Sequence, residues 1–399
     1  DEAHLDLDYR PESDSLKLGL TVAEPQGGIV TKLIGLPGTP NFTARIVGEG
    51  PLDRWQATGE ASAGGRPLLR LTASSTGDVR DRRVAFDLAL PNLPMLPGEI
   101  APLVEGGVTA SGTLHLAQGP IRIEAFKAET AAGAVSASGA VDPAGPLDLQ
   151  VQARLADARA YQSLLPPELG WQSVEADIRI GGTMAMPKLS VDATADDLAY
   201  AGNTIGKTVL NAAATLHTDT MRAEDVTAHV DAEAIAPADP TLQPLLTGGV
   251  HADFAGALDA AGAIAADRLS LDAGTVAMAL QGSATQWGAA AAHLEGTVNG
   301  TDLAPALALA GQKGSGALAA QVKLDKDGEA VSADLDATLS KASLGIPVVD
   351  GLLAPETKVA LTAHRDADGV VTLETAKIES PSLQVGATGT MSATEDLDL

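Results

Sequence analysis

Strict two-residue alternation constrains this chain more than any other property. Between Leu155 and Leu198, Val174, Ala176, Ile178 and Ile180 alternate with Glu175, Asp177 and Arg179. After Gly181-Gly182 the pattern returns, with Leu189, Val191, Ala193 and Ala195 set against Ser190, Asp192, Thr194 and Asp196. Successive side chains of a strand point to opposite faces, so each run predicts a strand with one apolar and one polar face. A short predicted helix from Asp157 to Leu165, stopped by Pro166 and Pro167, precedes the pair.

Variants of this unit recur. The first clear strand carries Leu16, Leu18, Leu20 and Val22; later runs are built on Val84 to Leu90, on Leu114 and Leu116, on Leu147, Leu149 and Val151, and on Val276, Met278 and Leu280. Two predicted hairpins turn at Asp327-Gly328, leading out through Val331, Leu335 and Leu339, and at Asp368-Gly369, leading out through Val371 and Leu373. Asp-Gly between alternating runs suits a tight turn in which both central residues take positive φ. Gly64-Gly65 reads the same way.

Pro-punctuated stretches predict short helical inserts near 91–105, 157–168, 234–247, 303–311 and 341–354. They start near Leu90, Leu155, Ala234, Leu303 and Leu339, an irregular repeat. Some two dozen strands at ~4.8 Å spacing extend a sheet on the order of 100 Å. The expected organisation is one continuous repetitive segment over 1–399, cut from a longer protein, since the text starts and stops in strand-like sequence.

How the apolar faces are covered depends on bulk. Aromatic residues make up only 3% of the chain, and the apolar 45% is mostly Ala, Leu and Val, with 42 Gly. A sandwich core calls for large interdigitating side chains. The composition therefore predicts a mainly β fold, a long curled antiparallel-rich sheet forming an elongated open groove (taco-like), with short helical inserts. Its expected lining is Leu114, Leu116, Leu147, Leu149, Val151, Val174, Ile178, Ile180, Leu189, Val191, Val276, Met278, Leu280, Val331, Leu335, Leu339, Val371 and Leu373.

Charge and chemistry narrow the function. With 26 basic and 52 acidic residues the net charge is −26, which repels nucleic acid and anionic surfaces and keeps an apolar sheet soluble. Zero Cys excludes disulfides and thiolate sites. No run reaches the roughly 18 apolar residues of a membrane span.

Gly202 to Thr208 mimics a phosphate-binding loop but has three residues between the glycines where four are needed. Asp325 to Gly328 and Asp366 to Gly369 lack the remaining ligands of a calcium loop and read as turns. His4, His115, His217, His229, His251, His293 and His364 show no metal-ligand spacing. Gly314-Ser315-Gly316 lacks a nucleophile elbow. Trp55, Trp171 and Trp287 read as packing at strand ends, with headgroup anchoring the alternative. No catalytic or metal set emerges, no cofactor is implied, and an enzyme is not expected.

Gly-terminated alternating runs, Pro-punctuated inserts, the EPQGG and GLPGTP segments near Gly27 and Gly35, and GEGPLDRW from Gly48 to Trp55 together resemble the TamB family, subunits of the translocation and assembly module among the AsmA-like proteins. The resemblance covers nearly the whole chain in texture and segment order. It implies a periplasmic β-groove between the two membranes of a Gram-negative envelope, carrying phospholipid acyl chains. It further implies an inner-membrane anchor outside this segment and an outer-membrane β-barrel partner of the Omp85 type. The alternative under the same resemblance is a scaffold for outer-membrane protein assembly; a secreted β-solenoid adhesin is a third reading.

Overall fold

A computed structural model describes residues 2–78, 80–142, 144–246, 248–309, 313–344, 346–353, 355–391 and 397–398. The chain divides into two compact units, Asp1–Asp196 and Asp197–Leu399. Each is mainly β, and neither closes into a barrel.

The strands of the first unit are β1 (Glu2–Arg10), β2 (Ser15–Glu24), β3 (Phe42–Pro51), β4 (Arg54–Ala63), β5 (Arg66–Asp78), β6 (Asp81–Leu90), β7 (Val108–Ala117), β8 (Ile121–Thr130), β9 (Gly133–Val141), β10 (Leu147–Leu155), β11 (Ser173–Gly182) and β12 (Pro187–Tyr200), which carries the unit boundary. Each pairs antiparallel with the next in sequence. The sheet is thus a plain meander, with every neighbour reached by a local connection.

The second unit repeats the plan with β13 (Asn203–His217), β14 (Arg222–Ala236), β15 (Val250–Asp259), β16 (Ile264–Ala273), β17 (Val276–Thr285), β18 (Ala291–Gly300), β19 (Ser315–Asp327), β20 (Ala330–Ser343), β21 (Glu356–Arg365), β22 (Val371–Ser380), β23 (Leu383–Met391) and β24 (Leu397–Asp398). These too pair antiparallel in chain order.

In an antiparallel meander all even-numbered strands end on one rim, and in both units the long connections sit there. In the first unit they are 25–41, 91–107 and 156–172, seventeen residues each and four strands apart. The repeat is therefore regular: residues 42–107 and 108–172 each comprise four strands and an insert. The sequence masks this period, because the first insert, with its helix α1 (Ile29–Leu33), was not among the expected ones. In the second unit the long connections are 237–249, 301–314 and 344–355, again after even strands.

The inserts contain less helix than expected. In 91–105 only Ala101–Val104 is helical, a 3-10 turn, and in 157–168 only Ala158–Tyr161, because prolines deny the chain the donors a longer helix needs. Asp157 caps the latter turn, accepting the Arg159 amide at 2.9 Å. In 234–247 the turn is Pro240–Leu245, and residues 234–236 belong to β14. The last two inserts hold α2 (Ala304–Leu309) and α3 (Pro347–Leu353); positions 247, 310, 311, 345 and 354 of the expected inserts lie outside the described residues.

Inserts fold back onto the rim. The Glu24 carboxylate accepts the Val30 amide at 2.9 Å and the Thr31 amide at 3.4 Å, satisfying the first donors of α1 from the end of β2. Leu36 then joins Phe42, Ala63 and Leu68 in the first unit's buried cluster. Neighbouring inserts touch: Ser163 Oγ donates to the Glu99 carbonyl in the first unit, and α2 packs against the 240–245 turn in the second.

Glycine is required where strands approach too closely for a side chain. Gly139 holds φ +131, and a Cβ there would collide with the carbonyl oxygen of Asp148 on β10. Only glycine adopts that backbone cheaply.

Candidate functional site

Register turns the alternation into continuous apolar rows. Across the first unit one row runs Leu7, Leu18, Gly48, Ala57, Ala73, Phe86, each the partner of the next on the adjacent strand. It continues through Gly112, Phe126, Ala137, Val151, Ile178 and Val191. A parallel row passes through Val84, Leu114, Ile123, Gly139, Leu149, Ile180 and Leu189. Bulges in β5 and β8 keep the face in phase where the count would otherwise slip.

The second unit has equivalent rows. One links Leu210, Val230, Ala252, Leu271, Met278 and Val298, then Ala320, Ala337, Val359, Ile378 and Val385. The next links Phe254, Leu269, Leu280, Gly296, Val322, Leu335 and Leu361.

Every expected lining residue falls on the apolar face of its unit by this register. Leu147 is the most enclosed, 8% exposed, and Leu116 the most open at 37%; Leu116 sits opposite Arg82 near the far rim. Leu114, Leu149, Val151, Val174, Ile178, Ile180, Leu189 and Val191 are half-buried, as are Val276, Met278, Leu280, Val331, Leu335, Leu339, Val371 and Leu373. Val331 lies between Lys326 and Arg365, so the apolar row ends there.

Half-burial is the informative state. Along β10 the residues from Leu147 to Leu155 alternate shielded and exposed without a break, and the shielded set is the apolar one. A flat, single-layer sheet would expose both faces alike, so this face lies inside the curl. Among the described residues no second layer seals it. A compact protein of 40.3 kDa exposes roughly 14,500 Å², and two separate compact bodies of half that mass about 17,500 Å². This chain exposes 23041 Å².

Aromatic rings are seated on glycines. A Cβ at Gly112 would stand 2.7 Å from the Phe86 ring, and Phe126 is the partner of Gly112 on the other side. The Trp55 ring covers Gly48 and donates Nε1–H to the Leu16 carbonyl at 3.0 Å. Trp171 donates to the Ala156 carbonyl at 2.8 Å and lies beside Tyr161, centroids 5.6 Å apart and ring planes tilted by 45°. These two tryptophans are structural ties, while Trp287 is exposed.

The opposite face is charged. Arg154 meets Glu175 at 2.7 Å, Arg179 meets Asp192 at 3.0 Å, and Gln152 donates to Asp177 at 2.8 Å. In the second unit His229 bridges Asp253 at 2.8 Å and Asp231 at 2.9 Å, while His251 also bonds Asp231. Hydrogen bonding to Asp253, aided by Asp231, raises the His229 pKa; the Asp231 carboxyl is lowered first by its bond with His251, and the Asp253 carboxyl by its bonds with His229 and Ser270.

The sequence look-alikes dissolve into sheet and turns. Residues 203–208 of the phosphate-loop mimic are strand, with Lys207 opposite Glu233. Asp325 is occupied by His293 and by Lys323 at 3.2 Å. The Asp366 carboxylate accepts the Asp368 and Val370 amides at 3.0 and 2.9 Å, closing its own turn.

The first row begins on β1, which sequence reading passed over, although Ala3, Leu5, Leu7 and Tyr9 alternate with His4, Asp6 and Asp8. That alternation was the available signal. No protein-family model, curated protein or solved structure matches the chain.

Proposed function

We propose that the chain is a lipid-transfer conduit, carrying phospholipid acyl chains along the apolar face of its curled sheets while the headgroup stays in water. The observation that supports it is the apolar row that the register carries from strand to strand in each unit, as through Val151, Ile178 and Val191 and through Val298, Ala320 and Ala337, with no layer covering it among the described residues.

The energetics suit such a path. Moving a sixteen-carbon chain through water costs on the order of 12 kcal/mol, and a continuous apolar wall removes most of that barrier. One repeat of four strands measures about 19 Å across the sheet, comparable with the ~15 Å that each leaflet contributes to a bilayer core. Similar residues along the rows give similar affinity, so net direction comes from elsewhere.

The sequence resemblance extends the proposal: a TamB-type, AsmA-like protein of the periplasm, anchored to the inner membrane by a segment outside this chain and meeting an Omp85-type barrel, with no catalytic role. Native mass spectrometry of the purified chain tests it. Phospholipid adducts are expected, and a lipid-free spectrum after expression in a lipid-replete cell contradicts it.

A further inference from the structure

Between the first two inserts of the first unit lies a cavity of about 640 Å³. Its walls are Leu36, Leu68, Pro91, Leu93, Pro94 and Val104, with a few smaller residues, and its polar side chains are Arg66, Asn92 and Glu105. Leu36, Ala63 and Leu68 belong both to this lining and to the buried cluster, so its floor is packed. The register pairs Arg66 with Ala63, which places the arginine at the rim end of the apolar face.

Arg66 is exposed at the wall of this hollow and, like other surface arginines such as Arg45 and Arg70, makes no ion pair or side-chain hydrogen bond among the described residues. Asn92, by contrast, is committed, donating to the Pro67 carbonyl at 2.9 Å. A free guanidinium beside an apolar hollow of ligand size matches an amphiphile with an oxyanion head.

We propose that this cavity seats one acyl chain of a phosphate-headed lipid, with the phosphate on Arg66. The inserts then serve as a loading point at the rim of the groove. The proposal rests on the conduit reading and adds a place and a headgroup preference to it. Glu105 on the same lining disfavours a second anion and suits a headgroup that carries one phosphate.

The test is titration of the purified chain, below the micelle concentration, with lysophosphatidylglycerol and with a monoacylglycerol of the same chain length. Arg66→Gln is expected to weaken the phosphate lipid about tenfold, the scale of one charge-assisted contact, and to leave the neutral lipid within about twofold. Arg66→Lys restores part of the loss, and Ala101→Trp, which fills the hollow, weakens both lipids. Each variant is first matched to the parent in melting temperature. Equal binding of the phosphate lipid by parent and Arg66→Gln overturns the proposal. A photo-crosslinker at Val191 separates the two readings: lipid captured there with Arg66 irrelevant leaves the groove standing without this seat, and no lipid at either place overturns both.

Discussion

Ile178 on β11 stands directly opposite Val191 on β12, and one residue along, Asp177 stands opposite Asp192. Two adjacent rungs of one hairpin therefore present opposite chemistry to opposite faces. The apolar rung continues a row of twelve strands, whereas the acidic rung is held by Arg179 and Gln152. Like charges directly across a ladder repel, so those two partners keep the register tolerable.

A charge placed in the row should interrupt it. Ile178→Asp puts a carboxylate on a half-buried apolar face, where it must be hydrated or protonated. The chain should still fold, because the position is not sealed in a core. Lipid captured by a crosslinker at Val191 should fall about tenfold, a loss of the order of one unfavourable polar burial. Asp177→Asn, one residue away, should leave capture unchanged.

The close approach at Gly139 should be sensitive to a single methyl. Gly139→Ala forces a side chain into a backbone conformation at φ +131 and against the Asp148 carbonyl, and should cost about 1–3 kcal/mol in denaturant unfolding. Gly181→Ala is the control. Its Cβ meets nothing nearer than 3.9 Å, so the substitution should be neutral or stabilising by up to about 1 kcal/mol.

Glu24 is buried, and its carboxylate serves the first amides of α1. Glu24→Ala leaves those donors without partners at a cost of about 1–3 kcal/mol. Because the insert is a connection and not a ladder strand, the loss should appear first as protease cleavage within 25–41, read by mass spectrometry, before global melting shifts.

The histidine–carboxylate ladder on the polar face of the second unit gives a pH dependence. His229 is raised from 6.5 by Asp253 and Asp231, so its contribution is complete below 6.5 and is lost as pH climbs through the raised value. Asp231 and Asp253 are lowered from 3.8, so theirs is present above 3.8 and is lost as pH falls through the lowered values. Melting temperature should decline from pH 6 to pH 9 more in the parent than in His229→Gln. The difference should shrink in high salt, since these groups face solvent.

Much of this was legible because a strand writes its two faces directly into sequence. Val174 to Ile180 and Leu189 to Ala195 identify both strands and the apolar side. Gly64-Gly65 gives its hairpin, with φ +60 and +78 at the two turn residues. Other features depend on partners that sequence does not display. At Asp327-Gly328 and Asp368-Gly369 only the glycines take positive φ, and the second loop is wider than two residues because the Asp366 side chain shapes it. Gly181 and Gly182, expected to break β11, pair within it opposite Lys188 and Pro187. The first insert escaped notice because α1 takes its capping group from Glu24, outside the helix. Without that insert the four-strand period could not be counted.

The most direct measurement is a pair of photo-crosslinkers placed at Val191 and at Asp192, neighbours in sequence on opposite faces of β12. The protein is expressed with its cellular lipids and irradiated. The account predicts phospholipid attached at Val191 and none at Asp192. Equal labelling at both positions, or labelling at Asp192 alone, contradicts it.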